Sequence, residues 1–331
     1  MARGVVARLR CAYRARGADL PFGDQRAHHR VAFEGYFWRV TDPHRGGVLI
    51  ALLGVCRDTD GRSWATAALA GHPGGVVRRA TLDHAAGDPT RLAVRGATTD
   101  GRAWVRADER QVTFALGGDA ILTLEVECPV RWPGRALGGI GPAQLVPGLS
   151  QYWHPWLLDG VARGSARLGE RTWNLDGARV YAEKNWGAGG FPAAWWWGQA
   201  HGFAREDATV AFAGGSAGLG PLRLTATSVV VRVGREVVRL TRPPGLLHVD
   251  VAPGRWHVAG RTGRHTLELE GAAAPADAHR LPVPLPAQRR ELPEGSAQHL
   301  AGELRVVLRR GRRTILDDTS RLAGLELGRG G

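Results

Sequence analysis

Glu183, Lys184 and Asn185 stand side by side in the stretch VYAEKNWG, and Lys184 is the only lysine of a chain whose other side-chain cations are arginines. A carboxyl that can give up a proton, an amine and an amide are the groups that orient and protonate an oxygen-bearing substrate. Around them, seven of the twelve tryptophans fall between Gln151 and Phe203: Trp153, Trp156, Trp173, Trp186 and the run Trp195, Trp196 and Trp197. Large apolar rings with few polar groups suit a pocket that holds a mostly hydrophobic molecule through a small number of oriented contacts. Indole faces also stabilise cations, including the carbocation formed when an alkene is protonated. The competing reading is that the rings fill a wide barrel core.

Alternation sorts these side chains. Tyr181, Glu183 and Asn185 share one face of their strand, and Ala182, Lys184 and Trp186 share the other. A Tyr/Glu/Asn face turned into a tryptophan-rich barrel would desolvate Glu183, raise its pKa and leave it a neutral acid able to donate a proton. A structural ion pair between Glu183 and an arginine of the barrel wall is the alternative, and both stay open; Lys184 reads either as a site group or as a solvated outer-face residue. In FEGYFWRVTDP, Phe33, Gly35, Phe37 and Arg39 fall on one face and Glu34, Tyr36, Trp38 and Val40 on the other, which makes Glu34 a second candidate acid with Trp38 beside it. His154, followed by Pro155, is a further candidate; a lone histidine or glutamate is also an ordinary hydrogen-bonded structural residue.

The elements that must position these groups read as strands. Glycine and proline recur throughout, and runs such as GGVLIALLGVCRD, SWATAALA, QVTFALGG and AILTLEVEC follow one another with DG, GG and GD turns between them. That spacing predicts an antiparallel meander closing into a barrel or sandwich, and a second series from AWWWGQAHGF to LAGLELG predicts one further barrel. A length of 331 residues suggests two domains, 1–188 with a basic N-terminal arm and 189–331. The segment 132–150, rich in Gly and Pro, is expected to be a long loop over a barrel mouth, and 276–295, rich in Pro, a surface loop.

Other classes are weaker. The formal charge of +13 invites nucleic acid, but the arginines are scattered, with no zinc-finger spacing, RNP-like strand or basic helix, so no nucleic-acid partner is expected. Peripheral contact with an anionic membrane accounts for the same charge. Cys11, Cys56 and Cys128 are far apart and read as free thiols of a reducing compartment. With no apolar run of signal-peptide or membrane-span length, a cytoplasmic place is expected, peripheral at the inner face of the membrane. GGSAG, 214–218, matches the nucleophile-elbow pattern but precedes a strand-like run, so it is expected to be a turn. The histidines show no metal-ligand spacing, so no metal is expected.

At the site residues the chain resembles the tocopherol cyclase family. ADLPFGD, FEGYFWRVTDP, PGLSQYWHPWLLDG, VYAEKNWGAGGFPAAWWWGQAHGF, HLAGELRVVL and SRLAGLELG are similar to that family's motifs in its order, over nearly the whole chain. The resemblance implies an all-β fold of two lipocalin-like antiparallel β-barrel domains in tandem, related to carotenoid hydratases. It also implies a redox-neutral, cofactor-independent ring closure, in which the phenol of a prenylated hydroquinone adds across its nearest side-chain double bond to give a chromanol. Residue chemistry then makes Glu183 or Glu34 the acid, Trp186 and Trp195 to Trp197 the lining of the cation, and Lys184, Asn185 or His154 the groups that orient the phenol. Tyr181, Trp153 and Trp38 complete the expected pocket. A non-catalytic carrier of such an isoprenoid, using the same pocket without a proton donor, is the alternative.

Overall fold

The computed structural model describes residues 2–19, 23–133, 137–188, 191–192, 194–219, 222–242, 245–283 and 296–329. The alternating runs between turns become two antiparallel sheets. The first contains β1 (Phe33–Asp42), β2 (Gly47–Arg57), β3 (Ser63–His72), β4 (Val76–Leu82), β5 (His84–Gly87), β6 (Ala93–Ala97), β7 (Ala103–Asp108), β8 (Gln111–Leu116), β9 (Ala120–Arg131), β10 (Tyr152–Leu168), β11 (Arg171–Asn174) and β12 (Arg179–Gly187). The second contains β13 (Ala194–Ala200), β14 (Ala208–Leu219), β15 (Leu222–Val233), β16 (Glu236–Arg242), β17 (Leu246–Ala252), β18 (Arg255–Thr262), β19 (His265–Ala272), β20 (His279–Leu281), β21 (Ser296–Arg310) and β22 (Arg313–Arg329). Strand order is 4-3-2-1-12-10-9-8-7-6-5 in the first, with β11 folded back on β10, and 16-15-14-13-22-21-19-18-17 in the second, with β20 on β21. Each sheet curls into a nearly closed barrel around its own apolar core, as lipocalin-like proteins do.

The return of β12 to β1 and of β22 to β13 puts the chemically unusual strands at the seam between the barrels. Polar side chains lock that seam. Arg39 on β1 reaches Gln199 Oε1 at 3.0 Å and the carbonyl of Leu300 at 2.8 Å in the second barrel. Asp159 on β10 accepts from Arg232 of β15 at 2.6 Å and also binds Arg179. Burial lowers the Arg39 guanidinium to about 9, and Thr41, Gln199 and the carbonyls of Leu300 and Leu322 take up its two terminal nitrogens while Nε is left without a partner among the described residues.

Four sequence expectations meet a different structure. The N-terminal arm contains a helix, α1 (Ala2–Arg14), which strand-spacing arguments miss because it offers no apolar stripe to either core; residues 5–12 are all exposed. TWNLDGARVYAEKNW, which with DGVARGSARLG reads in sequence as a closing pair of strands, is itself two strands, β11 and β12, separated by a turn. GGSAG is no turn but lies inside β14. Its Gly214 is there for space, because a Cβ would sit 2.2 Å from the Trp196 indole nitrogen. The proline-rich stretch begins with the short strand β20 and then Pro282 and Val283, which help wall a cavity; 284–295 lie outside the described residues. Of the segment 132–150, residues 137–150 run along the same cavity, presenting Ile140, Ala143 and Leu149, with a 3-10 turn at Gly141–Leu145.

Candidate active site

Cross-strand register decides which groups can meet. Gly35, Asn185 and Trp153 lie opposite one another on β1, β12 and β10, and Phe37 lies opposite Glu183. Directly opposed residues share a face. That face does not look into the first barrel, as the alternation argument supposed. It looks outward, toward the second barrel, and with Trp195, Trp196 and Trp197 of β13 it walls an elongated cavity between the two barrels. Gly35 is required there: a Cβ would stand 2.2 Å from Asn185 Oδ1.

Glu183 is the buried acid of this cavity. Its side chain is 4% exposed, and three donors converge on one oxygen, Oε2: Tyr181 Oη at 2.6 Å, Trp153 Nε1 at 2.8 Å and Trp197 Nε1 at 2.8 Å. Among the described residues no cation pairs with it, so the ion-pair alternative finds no arginine, and Oε1 has no protein partner. Burial raises the carboxyl to about 7; the three hydrogen bonds pull the other way by favouring the anion. Burial and the neighbouring Glu183 push the Tyr181 hydroxyl well above its ordinary range, so it stays a donor. Among the residues lining the cavity, three side-chain oxygens are buried without a protein partner: Asn185 Oδ1, Gln151 Oε1 and Gln298 Oε1. Buried polar atoms are nearly always satisfied, so this concentration in one apolar cavity marks contacts available to a ligand.

The other face of the same strands is structural. Glu34 and Lys184 point into the mouth of the first barrel, fully buried, with Nζ 2.6 Å from Glu34 Oε2. The segment before β1 plugs that mouth. His29 and Arg30 donate their backbone N–H to Glu34 at 2.6 and 2.8 Å, His28 Nδ1 lies 2.7 Å from it, and Lys184 donates to the Ala27 carbonyl and meets His29 Nδ1 at 2.7 Å. His29 also binds Asp19 and stacks on Trp186. Burial alone would raise Glu34, but Lys184 and His28 hold it well below the usual carboxylate range; burial lowers Lys184. Glu34 is therefore an anion in a network and does not face the cavity, which leaves Glu183 as the candidate donor of the two. Lys184 and Trp186 belong to this plug, His154 lies opposite Lys184 with its imidazole kept neutral by burial, at about 3, and Trp38 packs in the first core. None of these four lines the cavity.

Sequence reasoning missed Glu326 and Gln298, which enter the cavity from β22 and β21. Both sit in strands of ordinary alternation, with no local signal. Among the described residues no group of His, Cys, Asp and Glu is arranged to hold a metal ion, and no helix is long and apolar enough to cross a membrane.

Fold and site together define a nearly all-β protein with an aromatic cavity between two barrels and, inside it, a buried carboxyl, Glu183, that no cation pairs among the described residues. Residues 147–329 match the family model described as tocopherol cyclase-like, and the chain belongs to that family. It is 29% identical over 196 residues to the "Probable tocopherol cyclase, chloroplastic" of rice, Oryza sativa subsp. japonica, covering 56% of this chain and 41% of that protein. It is 26% identical over 207 residues to the chloroplastic tocopherol cyclase of Zea mays, covering 59% and 43%. The chain thus matches about two-fifths of the length of these curated relatives. Among solved structures, CghA with Sch210972 superposes with a TM-score of 0.62 at 12% identity, over 91% of this chain and 89% of that one. Kievitone hydratase from Nectria haematococca superposes with a TM-score of 0.50 at 9% identity, over 91% and 89%. These two likenesses are of fold.

Proposed function

We propose that the protein is a cofactor-independent cyclase that closes a prenylated hydroquinone, or a related isoprenoid phenol, to a chromanol-type ether. The observation that carries the reading is Glu183: a carboxyl buried in an aromatic cavity, unpaired with any cation among the described residues, with one oxygen anchored by three donors and the other free. Protonated, it delivers its proton from Oε1 to the side-chain alkene; the negative charge left behind is held on Oε2 by Tyr181, Trp153 and Trp197. The tertiary cation forms beside indole and phenyl faces, which stabilise it and exclude water that would trap it as an alcohol. Phenol attack on that cation closes the ring, and Asn185 and Gln151 offer the unpartnered polar atoms to orient the phenol.

The test is anaerobic incubation of the purified protein with a panel of prenylated hydroquinones and chromatography for the isomeric chromanol. Conversion supports the cyclase; tight binding without conversion supports the carrier and removes the cyclase.

The donor role fixes a pH dependence. Only protonated Glu183 can act, so turnover is expected to fall above about pH 7, by about tenfold per pH unit once the carboxylate dominates. The sign for stability is the same. The folded chain binds this proton up to about 7 while the unfolded carboxyl releases it near its ordinary value of 4.5, so the contribution of Glu183 to stability falls as pH rises between them. A rate that is flat from pH 6 to 9 would count against Glu183 as donor.

A substrate of this class resides in a bilayer, and α1 supports delivery from one, at the inner face of the cytoplasmic membrane. Val5, Val6 and Leu9 are 57%, 47% and 64% exposed within one turn, Arg8 is exposed beside them, and the helix has no acidic residue in its first turn. Tyr13 donates to the carbonyl of Leu145, itself 40% exposed, which ties the helix to the 3-10 turn whose Ala143 walls the cavity. An apolar patch with arginine beside it is suited to an anionic lipid surface. The protein is expected to float with vesicles containing phosphatidylglycerol and less with pure phosphatidylcholine, and Val6→Glu with Leu9→Glu to lose most of that binding. Equal flotation of the variant would remove α1 as the contact.

A further inference from the structure

The second barrel contributes a carboxyl to the same cavity. Glu326 of β22 lines it, half-buried, and Trp195 Nε1 donates to its Oε1. Trp197, two residues along the same face of β13 and so roughly 7 Å away, donates to Glu183. One tryptophan pair thus holds two carboxyls, one from each barrel, against one cavity. Their surroundings differ. Glu183 is anchored by three donors and sealed, whereas Glu326 is more open. Facing Glu326 are Trp195 and Trp197 on β13 and Ser296 and Gln298 on β21, all uncharged; of titratable groups among the described residues, Glu183 on β12, with Tyr181 bonded to it, lies across the cavity, and His279 of β20, its imidazole lowered by burial, lies beyond Gln298 on the same face. His299, next on β21, is turned instead onto Trp256.

Resting on the cyclase reading, we propose that Glu326 is the general base of the ring closure and forms an acid–base pair with Glu183. The atoms balance. The Glu183 proton forms the new C–H bond at the less substituted alkene carbon, the phenol oxygen forms the C–O bond at the tertiary carbon, and the phenol O–H breaks with its proton passing to the Glu326 carboxylate. Substrate and product are isomers, nothing is oxidised or reduced, and exchange with solvent returns Glu183 to the acid and Glu326 to the anion. Two carboxyls kept in different environments are how one cavity runs acid and base steps at one pH. Burial also raises Glu326, against the bond from Trp195, which puts the acidic limb of the activity above the ordinary carboxylate range.

The test is a pH–rate profile of wild type, Glu326→Gln and Glu326→Asp with a prenylated hydroquinone that the wild type converts, alongside their thermal unfolding. A bell-shaped wild-type profile is expected. Glu326→Gln is expected to unfold at the wild-type temperature, to keep KM within about threefold, to lose about 10²-fold in kcat, and to lose the acidic limb while keeping the alkaline one; Glu326→Asp recovers part of the rate and the limb. A Glu326→Gln enzyme with wild-type kcat or an intact acidic limb overturns this role and leaves the cyclase reading standing. No chromanol from the wild type with any prenylated hydroquinone removes the cyclase reading, and this role with it.

Discussion

Glu183→Gln is expected to lower kcat for ring closure by about 10²- to 10⁴-fold, the range general acid catalysis supplies, with the fold intact. Glutamine keeps the shape of the side chain, and its amide oxygen can take the place of Oε2 as acceptor for Tyr181, Trp153 and Trp197, so no buried donor is orphaned. What it cannot do is release a proton to an alkene. Binding of a prenylated hydroquinone, followed by quenching of the cavity tryptophans, is expected to change by less than about threefold, because the loss falls on the transition state rather than on ground-state contacts. Wild-type turnover by this variant would remove Glu183 from the mechanism. A variant that unfolds at lower temperature would show that the three-donor bond holds the seam between the barrels and not only the anion.

Lys184→Met is expected to have the largest effect on stability, about 3–5 kcal/mol, as for breaking a buried ion pair from one side. Lys184 and Glu34 are both fully buried, 2.6 Å apart. Removing the ammonium leaves the Glu34 carboxylate with His28, two backbone N–H groups and a longer contact to the Tyr36 hydroxyl, short of the charge that keeps it ionised. The Ala27 carbonyl and His29 each lose one of their bonds too, keeping Arg14 and Asp19 respectively, so the plug of the first barrel loosens. Glu34→Gln combined with Lys184→Met is expected to lose less than the sum of the single changes, since neither partner then leaves an unpaired charge. Urea unfolding of the four proteins measures this; additive losses would show that the pair is not coupled. Because Glu34 and Lys184 face away from the cavity, Glu34→Gln at a temperature where it stays folded is expected to retain turnover.

Much of this was legible in the residues. Turn dipeptides at regular intervals gave the strands, and alternation put Tyr181, Glu183 and Asn185 on one face and Lys184 and Trp186 on the other, as the register has them. What alternation could not give is what each face meets. β12 is buried on both sides, by a barrel interior on one and a second barrel on the other, and a strand covered twice carries no mark of which side is which. For that reason Trp38, Trp186, Lys184 and Glu34 look like pocket residues in sequence and are core and plug in the fold. Glu34 and Glu183 differ in what stands within reach of each, Lys184 and His28 in one case and only uncharged donors in the other, and those neighbours come from distant parts of the chain. Glu326 lies 143 positions beyond Glu183 in a strand like any other; only the pairing of β22 with β13 brings it to the same tryptophans. Helix α1 escaped because its apolar Val5, Val6 and Leu9 are exposed and face neither core, so no core-facing period announces it.

The central claim, that Glu183 starts ring closure by protonating an alkene, is tested most directly by turnover in D₂O. A carboxyl exchanges with solvent, so the chromanol formed from a prenylated hydroquinone is predicted to carry one non-exchangeable deuterium, in a single configuration, on the ring methylene next to the ether carbon, and Glu183→Gln is predicted to form this product at least about 10²-fold more slowly. Chromanol without deuterium, deuterium in both configurations equally, or labelled product at the wild-type rate from Glu183→Gln would contradict it.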